Sequence, residues 1–220
     1  VGQNDGLCGV FQNDAAHFRP SIGVIEQALV GEAVAGEHRD ININMLCDVA
    51  RRFVVERIDI GSSNAKAMLL ELDGGGKLKM ELVYRFPTPK TILNGYLCTD
   101  TFRIYEEICQ ALRLLGQRGV QVNTMGIDSW SSDFGFVNPD GIQIGMPAFY
   151  RDGRCKGMSE RIAEKIRYER LYELTMQRKM IESTLCQLLA VQEQQPHLLS
   201  EGNKLLFVAD LLMQQFSGRI

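Results

Sequence analysis

The rhythm of apolar and polar positions changes at about residue 53. Residues 1–18 are polar and rich in Gly, Asn and Asp, which predicts loop. After Pro20-Ser21, the apolar residues Val24, Ile25, Ala28 and Leu29 predict a short helix closed near Gly36, and a second weakly amphipathic stretch runs from Ile43 to Arg52. From Phe53 the pattern becomes strand-like and ends at Ile60 in a Gly61 turn. Ala67 to Leu72 is a second strand, closed by Gly74-Gly75-Gly76. Leu78 to Phe86 is a third, in which Leu78, Met80, Leu82 and Tyr84 alternate with Lys79, Glu81, Val83 and Arg85. Successive strands joined by tight glycine turns predict an antiparallel meander. Asp100 is placed to cap a helix from Thr101 to about Gln117, with Ile104, Tyr105, Ile108, Leu112 and Leu115 on one face and Gly116 and Gly119 at its stop.

Beyond the helix, Val120 to Ile127 predicts another strand, and Met125-Gly126-Ile127 has the apolar character of a buried central one. Residues 134–137 form a short strand before the turn Asn138-Pro139-Asp140-Gly141. Helices are predicted at about 156–173 and 183–194, the latter stopped before Pro196. Residues 204–208 read as a buried strand or a helix start, and Asp210 to Phe216 as helix. The order β-β-β-α-β-β-α-α-α, without internal repeat, predicts an α/β fold that opens like an actin-like (ribonuclease H-like) nucleotide-binding domain.

Composition narrows the classes. At 220 residues, with 45% apolar and 23% charged positions, the chain has the make-up of an ordinary globular protein of one large or two small domains. A net charge of −3 argues against a dedicated nucleic-acid surface. The basic residues over 151–170 are interleaved with Glu160, Glu164 and Glu169, the pattern of a solvated helix face. Cys8, Cys47, Cys98, Cys109, Cys155 and Cys186 are scattered without metal-ligand spacing, as free thiols in a reducing, cytoplasmic setting would be. No apolar run approaches the ~18 residues of a membrane span. Neither a basic start nor an apolar stretch marks a signal peptide, and the first residue, Val1, leaves a processed, truncated or spliced start open.

Three clusters could carry chemistry. The first is Asp59-Ile60-Gly61-Ser62-Ser63-Asn64-Ala65-Lys66, a strand end running into a hydroxyl-rich turn. An acid there can hold a hydrated divalent cation. The turn exposes N–H groups suited to phosphate oxygens, and Lys66 adds positive charge. The spacing is not that of a Walker loop, and a Gly-Ser turn can equally be only a turn. The second cluster is Asp128-Ser129-Trp130-Ser131-Ser132-Asp133, carrying carboxylates, hydroxyls and the single Trp. It can hydrogen-bond sugar hydroxyls and stack on a sugar ring, or be a core aromatic with a polar loop. The third, Tyr150-Arg151-Asp152-Gly153-Arg154, can hold a polyol by paired hydrogen bonds or form a surface ion-pair loop.

In this order the three clusters resemble the N-terminal half of the FGGY carbohydrate kinases, and within them the rhamnulokinase branch. The resemblance runs from about Val55 and includes Ile58-Asp59-Ile60-Gly61-Ser62-Ser63, Gly126-Ile127-Asp128-Ser129-Trp130 through Asp133-Phe134, Pro147-Ala148-Phe149-Tyr150-Arg151-Asp152 and Lys204 through Gly218. It implies ATP-dependent phosphorylation of a ketose, L-rhamnulose to L-rhamnulose 1-phosphate. By resemblance ATP phosphates lie on Ser62, Ser63, Asn64, Ala65 and Lys66 beside Gly61, and Asp59 contacts Mg²⁺ through water. Ser131 falls where the family commonly has a sugar-touching Gly, with Trp130, Asp133, Tyr150 and Asp152 as further sugar-facing positions. The turn departs from the branch's usual Ser-Ser-Gly-Arg: Lys66 lacks the guanidinium fork, and Ala65 lacks glycine's freedom at positive φ. The family's catalytic base, in a His-Asp-Thr segment, and its adenine-binding domain would fall past Ile220. On this reading residues 1–52 are an unassigned extension, and residues 53–220 an incomplete N-terminal kinase domain whose partner is the second domain. A non-catalytic actin-like module binding sugar or nucleotide is the alternative.

Overall fold

A computed structural model describes residues 52–73, 75–176 and 183–220. The two helices expected before Phe53, and the extension they belong to, lie outside the described residues.

The meander forms as the pattern predicts. Strand β1 (Arg52–Ile60) buries Val54, Glu56, Ile58 and Ile60 at every second position, and β2 (Asn64–Asp73) buries Ala65, Ala67 and Leu69. Strand β3 (Leu78–Pro87) follows, and the sheet has the order β3-β2-β1-β6, with β6 at Thr124–Ser129. The expectation of a central, buried β6 needs correction. It ends the sheet among the described residues, and Met125 and Ile127 are therefore only half-buried.

The chain divides into two compact units. Of the described residues, one comprises 52–57 together with 68–73, 75–83 and 114–126. Its core is Val54, Leu69 and Leu115, flanked by Val83, Val120 and Val122. Asn123 bonds Val54 through both backbone and side chain, and the Arg118 guanidinium donates to both Glu81 oxygens at 2.8 and 3.0 Å. The alternation read in the third strand faces water: Leu78, Met80 and Leu82, with Leu72 of β2, are all exposed. Glu56 is the other anomaly. Its carboxylate is fully buried, without a hydrogen-bond partner among the described residues, and burial raises its pKa from 4.5 to about 7.

The second unit comprises Ile58–Ala67, Tyr84–Arg113 and Ile127–Ile220. It contains a hairpin absent from the sequence reading, β4 (Lys90–Leu93) and β5 (Tyr96–Thr99), in the register Lys90↔Thr99 through Leu93↔Tyr96. Its two-residue loop is Asn94-Gly95, at φ 52° and 85°, the left-handed pair that an Asn-Gly turn supplies. Helix α1 (Thr101–Gln117) has the predicted bounds, and the Asp100 carboxylate accepts from the Arg103 N–H at 3.0 Å. A second sheet orders β8-β7-β9, from β7 (Phe134–Val137), β8 (Gln143–Ile144) and β9 (Lys204–Phe207), with β7 antiparallel to both neighbours. The single helix expected over 156–173 is two, α2 (Met158–Lys165) and α3 (Tyr168–Thr175), because Ile166 and Arg167 adopt extended backbone between them. Helix α4 (Thr184–Gln194) is capped by Ser183, and α5 (Val208–Ser217) ends at Gly218, φ 66°. Cys98, Cys109, Cys155 and Cys186 are buried and form no disulfide among the described residues. Among the described residues no helix is long and apolar enough to cross a membrane.

Candidate functional site

The residues expected to form a phosphate turn and those expected to face a sugar fall in the same compact unit, the second. Strand β1 delivers Asp59 to its end, half-exposed, and the chain turns at Gly61. The Gly61 N–H donates to the Asn64 carbonyl at 3.0 Å, and a Cβ at Gly61 would stand 2.9 Å from that oxygen, so the turn closes only around glycine. Three successive carbonyls of the turn are then occupied from one distant segment. Thr88 Oγ1 donates to Gly61 O at 2.6 Å, Lys90 Nζ to Ser62 O at 2.5 Å, and the Thr88 N–H to Ser63 O at 3.0 Å. Holding the carbonyls on one side fixes the peptide planes of the turn, which is what a preformed anion cradle requires.

Around the turn, Ser63 and Asn64 are exposed and Ser62 is half-buried. Lys66 Nζ stands 3.8 Å from Asp59 Oδ2, both side chains well solvated, so the two charges are loosely paired. Ala65 is fully buried in strand β2 and does not take positive φ; among the described non-glycine residues only Asn94 and Met176 do. The absence of glycine there therefore carries no backbone strain.

The residues expected to face a sugar gather around the loop that follows β6. Asp133 is fully buried and accepts from the Tyr150 N–H at 3.0 Å, Gln187 Nε2 at 3.0 Å and Ser132 Oγ at 3.2 Å. Burial pushes its pKa up, and the donors pull against that: first the Trp130 indole N–H, which faces the carboxylate outside ordinary hydrogen-bond geometry, then Gln187, Tyr150 and Ser132. The Gln187 side chain, from α4, also donates to Ser132 O at 3.1 Å and accepts from Arg154 Nη2 at 3.0 Å. Asp152 is likewise engaged, accepting from the Leu97 N–H at 2.7 Å and the Arg154 N–H at 2.9 Å. Both carboxylates thus hold main chain in place, and the hydroxyl of exposed Ser131 and the flanking aromatics are what the loop presents. Trp130 meets Phe149 edge-on at 6.0 Å, and Phe149 lies 4.4 Å from the Tyr150 ring.

Sequence reasoning missed three residues here: Thr88, Lys90 and Gln187. The Asn94-Gly95 signal could have found the hairpin that carries Lys90, but nothing local ties residue 90 to residue 62. Among the described residues no group of three acids, histidines or cysteines could hold a metal ion. A lone half-exposed Asp59 beside a phosphate turn fits the way Mg²⁺ binds, through one carboxylate, phosphate oxygens and retained waters.

No protein-family model matches the chain. Among curated proteins it is 33% identical over 164 residues to the rhamnulokinase of Yersinia pestis bv. Antiqua (strain Angola), which is 74% of this chain and 34% of that protein. The rhamnulokinase of Oceanobacillus iheyensis is 33% identical over 162 residues, again 74% and 34%. The chain is a relative of the rhamnulokinases. It spans about a third of the length of those it matches, 34% in each case. Solved structures agree on the fold, that of the FGGY-type sugar kinases. Gluconate kinase from Lactobacillus acidophilus superposes with a TM-score of 0.62 at 13% identity, covering 74% of this chain and 33% of that one. A ligand-bound xylulose kinase from the same organism gives 0.60 at 13% identity, covering 74% and 33%. The actin-like α/β expectation stands.

Proposed function

We propose that this chain forms the phosphate- and sugar-facing part of a kinase that transfers phosphate from ATP to a ketose, converting L-rhamnulose to L-rhamnulose 1-phosphate. The observation that carries the reading is the relationship to rhamnulokinases in a chain whose phosphate turn is already fixed by Thr88 and Lys90. Ser62, Ser63 and Asn64 offer the turn to the nucleotide's phosphates, Gly61 lets it close, and Lys66 adds charge once it leaves Asp59. Asp59 would hold Mg²⁺ through water, and the ion when bound neutralises phosphate charge. Ser131, Trp130 and Tyr150 face the sugar, while Asp133 and Asp152 hold the loops that carry them. The adenine ring and the proton of the attacked hydroxyl need groups outside this set, and a companion kinase domain is their proposed source.

The test is ADP release by the protein carrying this chain, with ATP, Mg²⁺ and a panel of ketoses. L-Rhamnulose should give the highest kcat/KM, and Asp59→Asn should lower turnover by about 10²-fold or more, as removal of a group that serves developing charge does. Unchanged turnover would sink the role of Asp59. Nucleotide binding without ADP release from any ketose would replace the kinase reading with that of a binding module.

A further inference from the structure

The phosphate turn and the aromatic wall of the sugar loop share one side chain that neither motif contains. Lys90, at the start of β4, donates from Nζ to the Ser62 carbonyl at 2.5 Å, and the same nitrogen lies 4.5 Å from the centroid of the Phe149 ring. Phe149 in turn touches Trp130 edge-on and Tyr150 face-inclined. One ammonium therefore bridges the turn proposed for phosphate and the cluster proposed for sugar. An ammonium has three donors. One is taken by Ser62 and one side faces the ring, which leaves a donor without a partner among the described residues. Lys66 is charge-balanced by Asp59 at 3.8 Å, whereas Lys90 has no carboxylate partner there. The charge with no anion is thus the one nearest the point where the two clusters meet.

Position and chemistry select the ligand. In a phosphoryl-transfer site the terminal phosphate must lie between the nucleotide's phosphate cradle and the acceptor hydroxyl. We propose that Lys90 contacts the terminal phosphate of a bound nucleoside triphosphate through its free donor while its bond to Ser62 O holds the turn. The proposal rests on the kinase reading above. It gives Lys90 a dual part: a pin on the turn in every state, and a ligand contact only when a third phosphate is present. A nucleoside diphosphate leaves the second contact unmade.

The experiment is binding of Mg·ATP and Mg·ADP to the protein carrying this chain, companion domain included, by calorimetry and thermal shift, for wild type, Lys90→Met and Lys90→Arg. A hydrogen bond to a charged group is worth about tenfold or more in affinity. Lys90→Met should lose about tenfold more affinity for ATP than for ADP, which bears only the loss of the pin, and Lys90→Arg should recover most of the ATP preference. Equal losses for ATP and ADP would overturn the proposal, leaving Lys90 a pin on the turn alone. An undiminished ATP preference in Lys90→Met overturns it as well. Wild-type protein, companion domain included, that binds neither nucleotide overturns the nucleotide reading itself, a result distinct from either of these. Should Lys90→Met fail to fold, Lys90→Arg and Phe149→Leu, which removes the ring beneath the ammonium, carry the same ATP-against-ADP comparison.

Discussion

Glu56 makes the stability of this protein depend on pH in an unusual direction. Its carboxylate is fully buried in an otherwise apolar row of β1, without a hydrogen-bond partner among the described residues, and its pKa rises from 4.5 to about 7 by desolvation. The folded state therefore holds a proton that the unfolded state releases at lower pH. Stability from this group is intact below about pH 4.5, falls as pH rises, and is fully lost above about pH 7. The interval corresponds to about 3 kcal/mol at ~1.4 kcal/mol per pH unit. Replacing Glu56 with Leu removes the titration and fills the same space with apolar atoms. Urea unfolding at pH 5, 6, 7 and 8 should then show Glu56→Leu gaining on wild type as pH rises. About 2.5 kcal/mol of this falls between pH 5 and pH 8, so with a urea slope of roughly 2 kcal/mol per M the two midpoints should draw apart by about 1.3 M. Other titrating groups are common to both proteins and cancel in the difference. Parallel pH profiles for the two proteins would refute the reasoning, because they would mean that Glu56 is as well solvated or paired folded as unfolded.

Gln187→Ala should cost about 1–2 kcal/mol, since it takes one of three donors from the buried Asp133 carboxylate and removes the acceptor of Arg154 Nη2, while the Ser132 carbonyl keeps its bond from Thr184 Oγ1; a melting temperature within a degree of wild type would count against the network. Gly61→Ala brings a Cβ to 2.9 Å from the Asn64 oxygen, so the turn must open, and Mg·ATP should no longer raise the melting temperature even where the chain remains folded. Asp100→Ala removes the cap on α1 and should lower stability by about 1 kcal/mol without altering any nucleotide response, checked by the same two assays.

The elements with their own local signals were legible. The period-two burial of β1, the capped face of α1 and the short β7 all follow from residues within a few positions of one another. The β4–β5 hairpin carried its signal in Asn94-Gly95 and passed unread between two stronger elements. The split of the helix over 156–173 had no comparable marker, because Ile166 and Arg167 are ordinary helix residues that tertiary context sets extended. The site divides the same way. Its turn and its loops were readable as motifs, since chemistry and backbone freedom lie in adjacent residues there. The parts that fix them in space were not. Thr88 and Lys90 reach Gly61, Ser62 and Ser63 across more than two dozen positions, and Gln187 reaches Asp133 across 54. A carboxylate in a sugar-like motif reads the same whether it faces a ligand or is spent on the fold, and Asp133 and Asp152 are spent.

The three carbonyl bonds from Thr88 and Lys90 to the turn make residues 61–63 and 88–90 a single unit of inheritance. A chimera that imports a relative's turn without its partner segment would splice together two halves that were never selected as a pair. Its failure would say nothing about the imported motif. Grafts between sugar kinases should therefore be cut so that both segments travel together, with the whole β1–β4 stretch as the smallest exchangeable piece.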